Sequence, residues 1–231
     1  MIELKNISFS YPRQEVLIDL DLSLSENKIN CLLGPSGCGK TTILNLLAKT
    51  KFPTSGTISG LPREISYIFQ ETRILPWKTV FQNVIFPLKG ILPDKEISVS
   101  AERFLKHVNL WDYRDAFPDE LSGGMKQRVS IARAFAYPSS LILMDEAFQG
   151  LDPILKDRLL LDFIKSWEDE PRTVVFVTHD LDEALLLGQQ IIILPKAPIT
   201  KAEIIQIDQK PGADRTNQEF LEKEIRAAYS K

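Results

Sequence analysis

Residues 34–41 read GPSGCGKT and match the pattern G-x-x-x-x-G-K-[ST] in full. An apolar run that predicts a strand, residues 28–33, comes before them, and KTTILNLLAK, which predicts a helix, begins at Lys40. Glycines in such a turn allow backbone N–H groups to converge on phosphate oxygens, and the helix N-terminus favours an anion. The stretch therefore predicts an α/β unit whose loop binds phosphate, formed by Gly34, Pro35, Ser36, Gly37, Cys38, Gly39, Lys40 and Thr41.

Side chains of this loop add their own chemistry. The ammonium group of Lys40 can reach the β- and γ-phosphates of a nucleotide, and the hydroxyl of Thr41 is suited to Mg²⁺. Thr42 either meets a phosphate as well or caps the helix that follows. These residue types favour a nucleotide site over a glycine-rich turn that binds no ligand.

Two acids follow a second apolar run, residues 141–144. Asp145 and Glu146 would then stand at the carboxyl end of a strand, which in a parallel sheet faces the ligand crevice. An acid in that position can hold the Mg²⁺ of a nucleotide, and the next carboxylate can act as a general base toward water. The alternative is a pair of solvated acids that simply end a strand.

The remaining apolar patterns predict an α/β fold. Alternation near residues 7–11 and 20–24 predicts half-buried strands, whereas the spacing between residues 71 and 137 is helical. Strands that alternate with helices indicate a largely parallel sheet covered by helices. Further strands are predicted at residues 56–59, 64–69, 173–178, 190–194 and 203–207, and further helices from Pro153, from Asp180 and through Leu221, Ile225 and Ala228.

Composition and charge narrow the class of protein. Hydrophobic residues make up 44% of the 231 residues, and the formal net charge of −3 argues against a large basic surface, so no nucleic-acid partner is expected. Cys31 and Cys38 form neither a disulfide framework nor a metal-ligand pattern. The N-terminus lacks a secretory signal, and the apolar runs are shorter than the about 20 residues of a membrane-spanning helix. We therefore expect a protein that is soluble or that reaches a membrane through a partner.

A third motif, LSGGMKQR at residues 121–128, completes a set. The other members are the phosphate loop, Gln70, MDE at residues 144–146, the pair Leu151-Asp152, and His179. In order and spacing the set resembles the ATP-binding subunit of ABC transporters over essentially the whole chain. The resemblance implies ATP and Mg²⁺ as cofactors.

The same resemblance implies an architecture. The chain would be one ABC ATPase domain, residues 1–231. Residues 1–70 and 138–231 would form a P-loop NTPase core of the RecA-like type, with a mostly parallel sheet and an N-terminal antiparallel β subdomain. Residues 71–137 would form an inserted α-helical subdomain that carries the LSGG signature.

The resemblance further implies a head-to-tail dimer, most simply a homodimer, with each ATP between the phosphate loop of one copy and the signature of the other. The residue types agree, because Ser122 is a typical N-cap and Gly123 and Gly124 expose backbone amides at a helix start. A capped helix start without a ligand is the alternative. Asp152 precedes Pro153 as an N-cap would, and the resemblance gives Asp152 a contact near the nucleotide across the dimer.

Three further positions take roles from the resemblance. Tyr11 resembles the aromatic residue that stacks on adenine, the alternative being a core aromatic. Gln70 resembles the glutamine that contacts Mg²⁺ or the attacking water, and His179 resembles the histidine that touches the γ-phosphate. The expected metal ligands are thus Thr41, Gln70 and Asp145, and the expected catalytic residues are Lys40, Gln70, Glu146 and His179. Asp180 and Glu183 fit a D-x-x-E capping box, which predicts a structural role.

The chain also departs from the usual family pattern. After the acidic pair the family usually has Pro-Phe and two small residues, where this chain has Ala147-Phe148-Gln149-Gly150. Gln149 is bulky at a place where the resemblance expects dimer contacts. Met125 replaces the more common glutamine after SGG and is frequent in importers that resemble those for nitrate, sulfonates, taurine or pyrimidines.

FQETRILPWKTV, residues 69–80, predicts a surface for a partner. In the family this junction forms the groove that receives a short helix of the membrane permease. Leu75, Pro76 and Trp77 would then supply a stiff apolar wall, and movement of Gln70 could be passed to the partner. The alternative is that Leu75 and Trp77 only pack the helical segment against the core.

The expected function is that of the ATPase subunit of an importer. AFPDELSGG, residues 116–124, resembles the importers at this point. Such a subunit lies at the cytoplasmic face of the cell membrane, bound to permease subunits and served by an extracytoplasmic solute-binding protein. Two alternatives are a cytosolic ABC ATPase with soluble partners, as in iron–sulfur assembly, and an ABC ATPase of DNA maintenance, whose long coiled-coil arms do not fit between Thr41 and Ser122.

Overall fold

The computed structural model describes residues 1–212 together with residues 223 and 225. The described strands are β1 (Ile2–Tyr11), β2 (Gln14–Leu24), β3 (Ile29–Leu33), β4 (Ser55–Ser59), β5 (Ile65–Ile68), β6 (Leu141–Asp145), β7 (Thr173–Thr178), β8 (Gln190–Ile193) and β9 (Glu203–Gln206). They form an antiparallel sheet of order β2-β1-β4 and a six-stranded sheet of order β5-β6-β7-β3-β8-β9. In the larger sheet β9 runs antiparallel to β8, and the other pairings are parallel. The predicted fold class is thereby confirmed.

The described helices are α1 (Lys40–Leu47), α2 (Val80–Ile85), α3 (Asp94–His107), α4 (Gly123–Ala136), α5 (Pro153–Asp169) and α6 (Leu181–Leu187). Helices α2–α4 lie between β5 and β6 along the chain, where helical spacing was predicted. Of the predicted final helix, Ile225 is helical and fully buried, while Leu221 and Ala228 lie outside the described residues.

The parallel strands are buried on both faces. Their side chains point alternately to the two faces and so belong alternately to two apolar clusters. On β7, Val174 and Phe176 belong to the cluster shared with α3–α6, whereas Val175 and Val177 belong to the cluster shared with α1 and the antiparallel sheet. Successive side chains of a strand point to opposite faces, so one face is covered by helices α3–α6 and the other by α1 and the antiparallel sheet. A sheet covered on both sides needs continuous apolar runs, as residues 174–177 provide.

The five parallel strands of the larger sheet, β5, β6, β7, β3 and β8, end at one edge. Asp145 of β6 is aligned with Val177 of β7, and Leu33 of β3 is aligned with Thr178 of β7. The carboxyl ends of parallel strands therefore meet there, as expected for a ligand crevice. Just beyond these ends come Gly34, Gln70, Glu146 and His179.

A row of phenylalanine rings joins the helical segment to this edge. Phe104 on α3 stacks on Phe135 of α4 at a centroid distance of 5.8 Å, and Phe135 meets Phe163 of α5 at 5.6 Å. Phe163 in turn meets Phe148, in the loop after β6, at 6.1 Å. Helix α4 thus packs its C-terminal half into the same apolar cluster as the sheet.

Candidate active site

The loop between β3 and α1 turns tightly. Gly37 and Gly39 have φ angles of 77° and 119°, which residues with side chains rarely adopt. A Cβ atom on Gly39 would lie 2.5 Å from Cγ1 of Val16, so the neighbouring strand β2 also excludes a side chain there. Helix α1 begins directly afterwards, with Gly39 as its N-cap. The loop thus places the unpaired N–H groups of a helix start at the strand edge.

Lys40 is buried inside this loop and is 4% exposed. Its ammonium group donates to the backbone oxygens of Gly34, at 2.8 Å, and Pro35, at 3.0 Å. An ammonium group has three N–H bonds, so a third is available to a phosphate oxygen. Its positive charge therefore faces a loop that is already suited to an anion.

Thr41 and Asp145 form an oxygen pair beside the loop. The Thr41 hydroxyl donates to Oδ1 of Asp145 at 3.1 Å, and the Tyr67 hydroxyl donates to Oδ2 at 3.4 Å. Burial raises the pKa of Asp145, and these two hydrogen bonds only partly oppose it. A bound cation would favour the ionised carboxylate, and hydroxyl and carboxylate oxygens are ligands that Mg²⁺ prefers. The residues present therefore fit Mg²⁺, and Tyr67 is a neighbour that sequence reasoning missed.

Glu146 follows in the turn after β6. Its φ angle is 45°, unusual for a residue with a side chain, and its N–H donates to O of Val177 at 3.1 Å. Non-glycine residues in this region are strained by about 1–2 kcal/mol and are concentrated at functional sites. Oε1 of Glu146 lies 3.5 Å from Nδ1 of His179. The strained turn thus sets a carboxylate and an imidazole side by side.

One cavity of about 390 Å³ brings most of the predicted residues together. Tyr11 stands at its rim, 38% exposed, with its hydroxyl 3.3 Å from Oγ1 of Thr42. Thr42 does not cap α1, so that alternative is wrong. The lining residues are Tyr11, Gln14, Val16, Ser36, Gly37, Gly39, Lys40, Thr41, Thr42, Gln70, Asp145 and Glu146. Gln14 and Val16 were missed by sequence reasoning, since a residue on a half-buried strand carries no chemical signal.

Other predicted residues lie outside this cavity. Gly34, Pro35 and Cys38 build the loop without lining it, and His179 lines an adjoining cavity of about 160 Å³ that Glu146 also borders. The two cavities share Glu146 as a lining residue.

The signature residues and Asp152 cap two helices. Ser122 accepts a hydrogen bond from the N–H of Met125 at 3.3 Å, and Asp152 accepts one from the N–H of Leu155 at 3.0 Å. A Cβ atom on Gly124 would lie 2.3 Å from Cδ2 of Leu155, whereas one on Gly123 would meet nothing within 4 Å. Both predicted caps are present. In the single chain these residues do not line the larger cavity.

An ion cluster borders the smaller cavity. Lys156 of α5 pairs with Asp180 and, at 2.6 Å, with Glu183, which is 4% exposed. Glu183 also accepts from the Thr178 hydroxyl at 2.6 Å. The predicted capping box is therefore half right, because Asp180 accepts from the N–H of Glu183 at 3.3 Å but the Glu183 side chain is bound elsewhere. Thr178 and Asp180, the two chain neighbours of His179, are thus both linked to Lys156 of α5, Asp180 directly and Thr178 through Glu183.

Replacing Lys156 by methionine should lower the free energy of unfolding by about 3 kcal/mol, because a buried carboxylate then loses its partner. Burial alone would raise the pKa of Asp180, but Lys156 outweighs it and lowers that pKa. The stability that Asp180 contributes is thus present above its unfolded pKa and is lost as the pH falls. The difference in unfolding free energy between the parent and Lys156→Met should therefore shrink below about pH 4.

Urea unfolding at pH 7 and pH 3.5, followed by circular dichroism, measures this difference. Lys165→Met, at an exposed position of the same helix, is the matched control. Equal unfolding free energies for the parent and Lys156→Met at pH 7 would show that the cluster contributes no stability.

Comparison with known proteins places the chain among its relatives. The sequence matches the ABC transporter family over residues 17–149. An uncharacterized ABC transporter ATP-binding protein of Methanocaldococcus jannaschii is 40% identical over 227 residues, which cover 94% of this chain and 85% of that protein. The nitrate import ATP-binding protein of Synechococcus elongatus is 37% identical over 202 residues, 82% of this chain and 73% of that protein. A dimeric ATP-binding cassette, solved in a post-hydrolysis state with ADP and Pi, has a TM-score of 0.73 at 28% identity, over 90% of this chain and 100% of that chain.

The fold, the phosphate loop and the acids at the adjacent strand end define a P-loop ATPase. The chain belongs to the ABC transporter family as an ATP-binding domain, with ATP hydrolysis as its activity and ATP and Mg²⁺ as its cofactors. The predicted likeness to the nitrate-type importers is confirmed by a relative named for nitrate import. Within the residues that the structure describes, no helix is long and apolar enough to cross a membrane.

Proposed function

We propose that this chain is the ATPase subunit of an importer and drives uptake of a nitrate-, sulfonate-, taurine- or pyrimidine-like solute through separate permease subunits. The observation that carries the proposal is that the nucleotide cavity and an exposed aromatic residue lie only a few positions apart along the chain. Gln70 lines the nucleotide cavity, and Trp77, seven positions later, is 70% exposed. A relative named for nitrate import supports the importer class.

Binding of the nucleotide follows from the loop and its flanks. The N–H groups at the start of α1 and the Lys40 ammonium hold the phosphates, while Tyr11 stacks on the base at the rim. Thr41, Asp145 and Gln70 would hold Mg²⁺, which would supply positive charge to the phosphates. Lys40 and Thr41 stand on α1, and Asp145 ends the buried strand β6, so little rearrangement of these three residues is needed when the nucleotide binds.

Hydrolysis needs a proton acceptor in line with the γ-phosphate. Glu146 takes the proton of the attacking water, and His179, 3.5 Å from that carboxylate, contacts the γ-phosphate from the adjoining cavity. Gln70, just beyond the end of the neighbouring strand β5, orients the water. Catalysis in this scheme is mostly positioning and stabilisation of charge.

A second copy completes the site in this proposal. Open space surrounds Gly123, and the unpaired N–H groups at the start of α4 suit a γ-phosphate bound to the loop of the other copy. Ser122 and Asp152 keep the two helix starts in place. A solved cassette of similar fold is a dimer, which supports a head-to-tail homodimer here.

The segment after Gln70 is stiff enough to transmit movement. Asn83, which is 1% exposed, donates to the backbone oxygens of Leu75, Lys78 and Thr79 at 2.9–3.1 Å and accepts from the N–H of Leu75 at 2.7 Å. Four hydrogen bonds to one buried amide fix this turn. Packing against the core does not account for Trp77, since most of its side chain is exposed.

The same segment is tied to α4. Arg133 donates from Nη1 to the backbone oxygen of Arg73 at 2.8 Å, and the Arg73 guanidinium lies 3.8 Å from the Phe69 ring centroid. A shift at Gln70 would therefore reach both Trp77 and the helix that begins at the signature. In the proposal, residues 71–137 form the helical subdomain that carries the signature, and residues 1–70 and 138–231 form the nucleotide-binding core.

Trp77→Ala should leave ATP hydrolysis by the isolated chain within about twofold of the parent, because an exposed side chain outside the cavity contributes little there. ATP-driven uptake by the complex with its permease subunits should fall at least about tenfold, since truncation of a central aromatic anchor costs about 2 kcal/mol or more in an interface. Uptake into proteoliposomes measures the coupling. Leu161→Ala, at an apolar position of α5 that is 62% exposed, is the control, and normal uptake by Trp77→Ala would rule out the interface.

The class of partner is tested by purification. In the proposal, the chain lies at the cytoplasmic face of the membrane through its permease, and an extracytoplasmic solute-binding protein delivers the solute. A tagged chain should therefore carry hydrophobic permease subunits when it is purified from detergent-solubilised membranes and identified by mass spectrometry. Soluble scaffold proteins in their place would favour an ATPase of the iron–sulfur assembly type.

A further inference from the structure

Gln149 is an exposed residue in the loop between β6 and α5. Its Oε1 accepts a hydrogen bond from Nε2 of Gln70 at 2.6 Å. The start of the loop is fixed, because the buried Gln127 donates to the backbone oxygen of Ala147 at 2.7 Å, and the N–H of Gln149 donates to that of Glu146 at 3.1 Å. An anchored backbone thus places the side-chain amide of Gln149 beside Gln70, and Oε1 is the end of that amide that faces Nε2 of Gln70.

A primary amide has a donor end and an acceptor end, so the partner of one end decides where the other end points. Because Gln70 gives Nε2 to Gln149, its Oε1 is the end directed to other partners, and Gln70 lines the nucleotide cavity. Mg²⁺ binds oxygen ligands, and a water molecule donates its hydrogen bonds to oxygen. The reversed amide would instead present N–H groups to a cation.

We propose that Gln149 is a positioning residue that fixes the amide of Gln70 with Oε1 toward Mg²⁺ and the attacking water. The inference rests on the role given to Gln70 in the proposed function. A small side chain at position 149 could not reach Gln70, so the bulk of this residue is what makes the contact. The loop that carries Glu146 and the segment that leads to Trp77 are thereby joined by side chains.

Two variants of Gln149 separate the acceptor from the bulk of the side chain. Gln149→Met keeps the length but lacks the acceptor, and Gln149→Glu keeps acceptor oxygens. Both are made with Glu146→Gln, so that bound ATP stays intact, and Mn²⁺ binding to the ATP complex is titrated by electron paramagnetic resonance. Gln149→Met should raise the Mn²⁺ concentration at half-saturation about fivefold, the equivalent of one neutral hydrogen bond, and Gln149→Glu should restore the parent value.

Gln70→Ala, alone and combined with Gln149→Met, completes the test. Gln149→Met should have no further effect once Gln70 is truncated, because the two residues act through one contact. The inference is overturned if Gln149→Met leaves Mn²⁺ affinity unchanged while Gln70→Ala lowers it, if the two effects add, or if Gln149→Glu binds Mn²⁺ more weakly than Gln149→Met. No effect of Gln70→Ala would remove the role of Gln70 itself. Thermal unfolding of each variant, at these exposed positions, should give the parent Tm.

Discussion

Replacing Glu146 by glutamine should lower the rate of ATP hydrolysis by about 1,000-fold, because an amide of the same shape cannot take a proton from water. The Kd for ATP should change less than about twofold, since in the proposed function Lys40 and the loop hold the phosphates and only the transition state needs the base. With ATP bound and uncleaved, the head-to-tail dimer should persist. The variant should therefore elute as a dimer in ATP and Mg²⁺ and as a monomer without them.

Steady-state phosphate release and size-exclusion chromatography with light scattering measure the two effects. Asp157→Asn is the matched control, an exposed acid on α5 outside the cavity, and it should hydrolyse ATP like the parent. Rapid turnover by Glu146→Gln would exclude Glu146 as the general base. A monomer in ATP would instead remove the proposed sharing of the nucleotide between two copies.

Lys40→Ala should weaken ATP binding itself by about 100-fold. A charge-assisted hydrogen bond contributes up to about 3 kcal/mol, and each 1.4 kcal/mol is tenfold in Kd. The buried position of Lys40 supports this magnitude, because a buried ammonium group would act on the phosphates with little screening by water. Hydrolysis should fall in parallel when ATP is below its new Kd.

Calorimetric titration with an ATP analogue that is not hydrolysed measures the affinity. Lys165→Ala, which removes an exposed lysine of α5, should bind like the parent. Circular dichroism must first show that Lys40→Ala is folded, since Gly34 and Pro35 lose a donor in that variant. Unchanged affinity in a folded variant would overturn the assignment of the loop.

Local patterns were sufficient to predict most elements and the edge at which the site lies. Residues 141–144 and 173–178 are present as β6 and β7, because short continuous apolar runs bounded by polar residues fit a sheet covered on both faces. The loop at residues 34–41 could be predicted from spacing alone, since its shape is a property of the backbone. Glu146 and His179 each follow a predicted strand directly, so both could be placed at the edge where the parallel strands end.

Contacts between side chains of different loops could not be predicted in this way. The bulk of Gln149 was visible in the sequence, but its hydrogen bond to Gln70 depends on how two loops are anchored. Glu183 fits a capping box by spacing, yet the half-buried Lys156 ammonium group and the Thr178 hydroxyl are the partners of its buried carboxylate. For a buried carboxylate, an ion pair and a hydroxyl hydrogen bond outweigh a capping hydrogen bond from a backbone N–H near the surface. The positive φ angle of Glu146 likewise has no local signal, because glutamate does not favour it.

The row of phenylalanine rings has a consequence for how such chains can be recombined. Phe104 and Phe135 belong to the helical segment, whereas Phe163 and Phe148 belong to the rest of the chain, and the rings interlock across that boundary. A chimera that takes the segment from a relative would set foreign rings against these two and leave gaps or clashes at the joint. A chimera that preserves this packing should therefore take all four positions from the same relative.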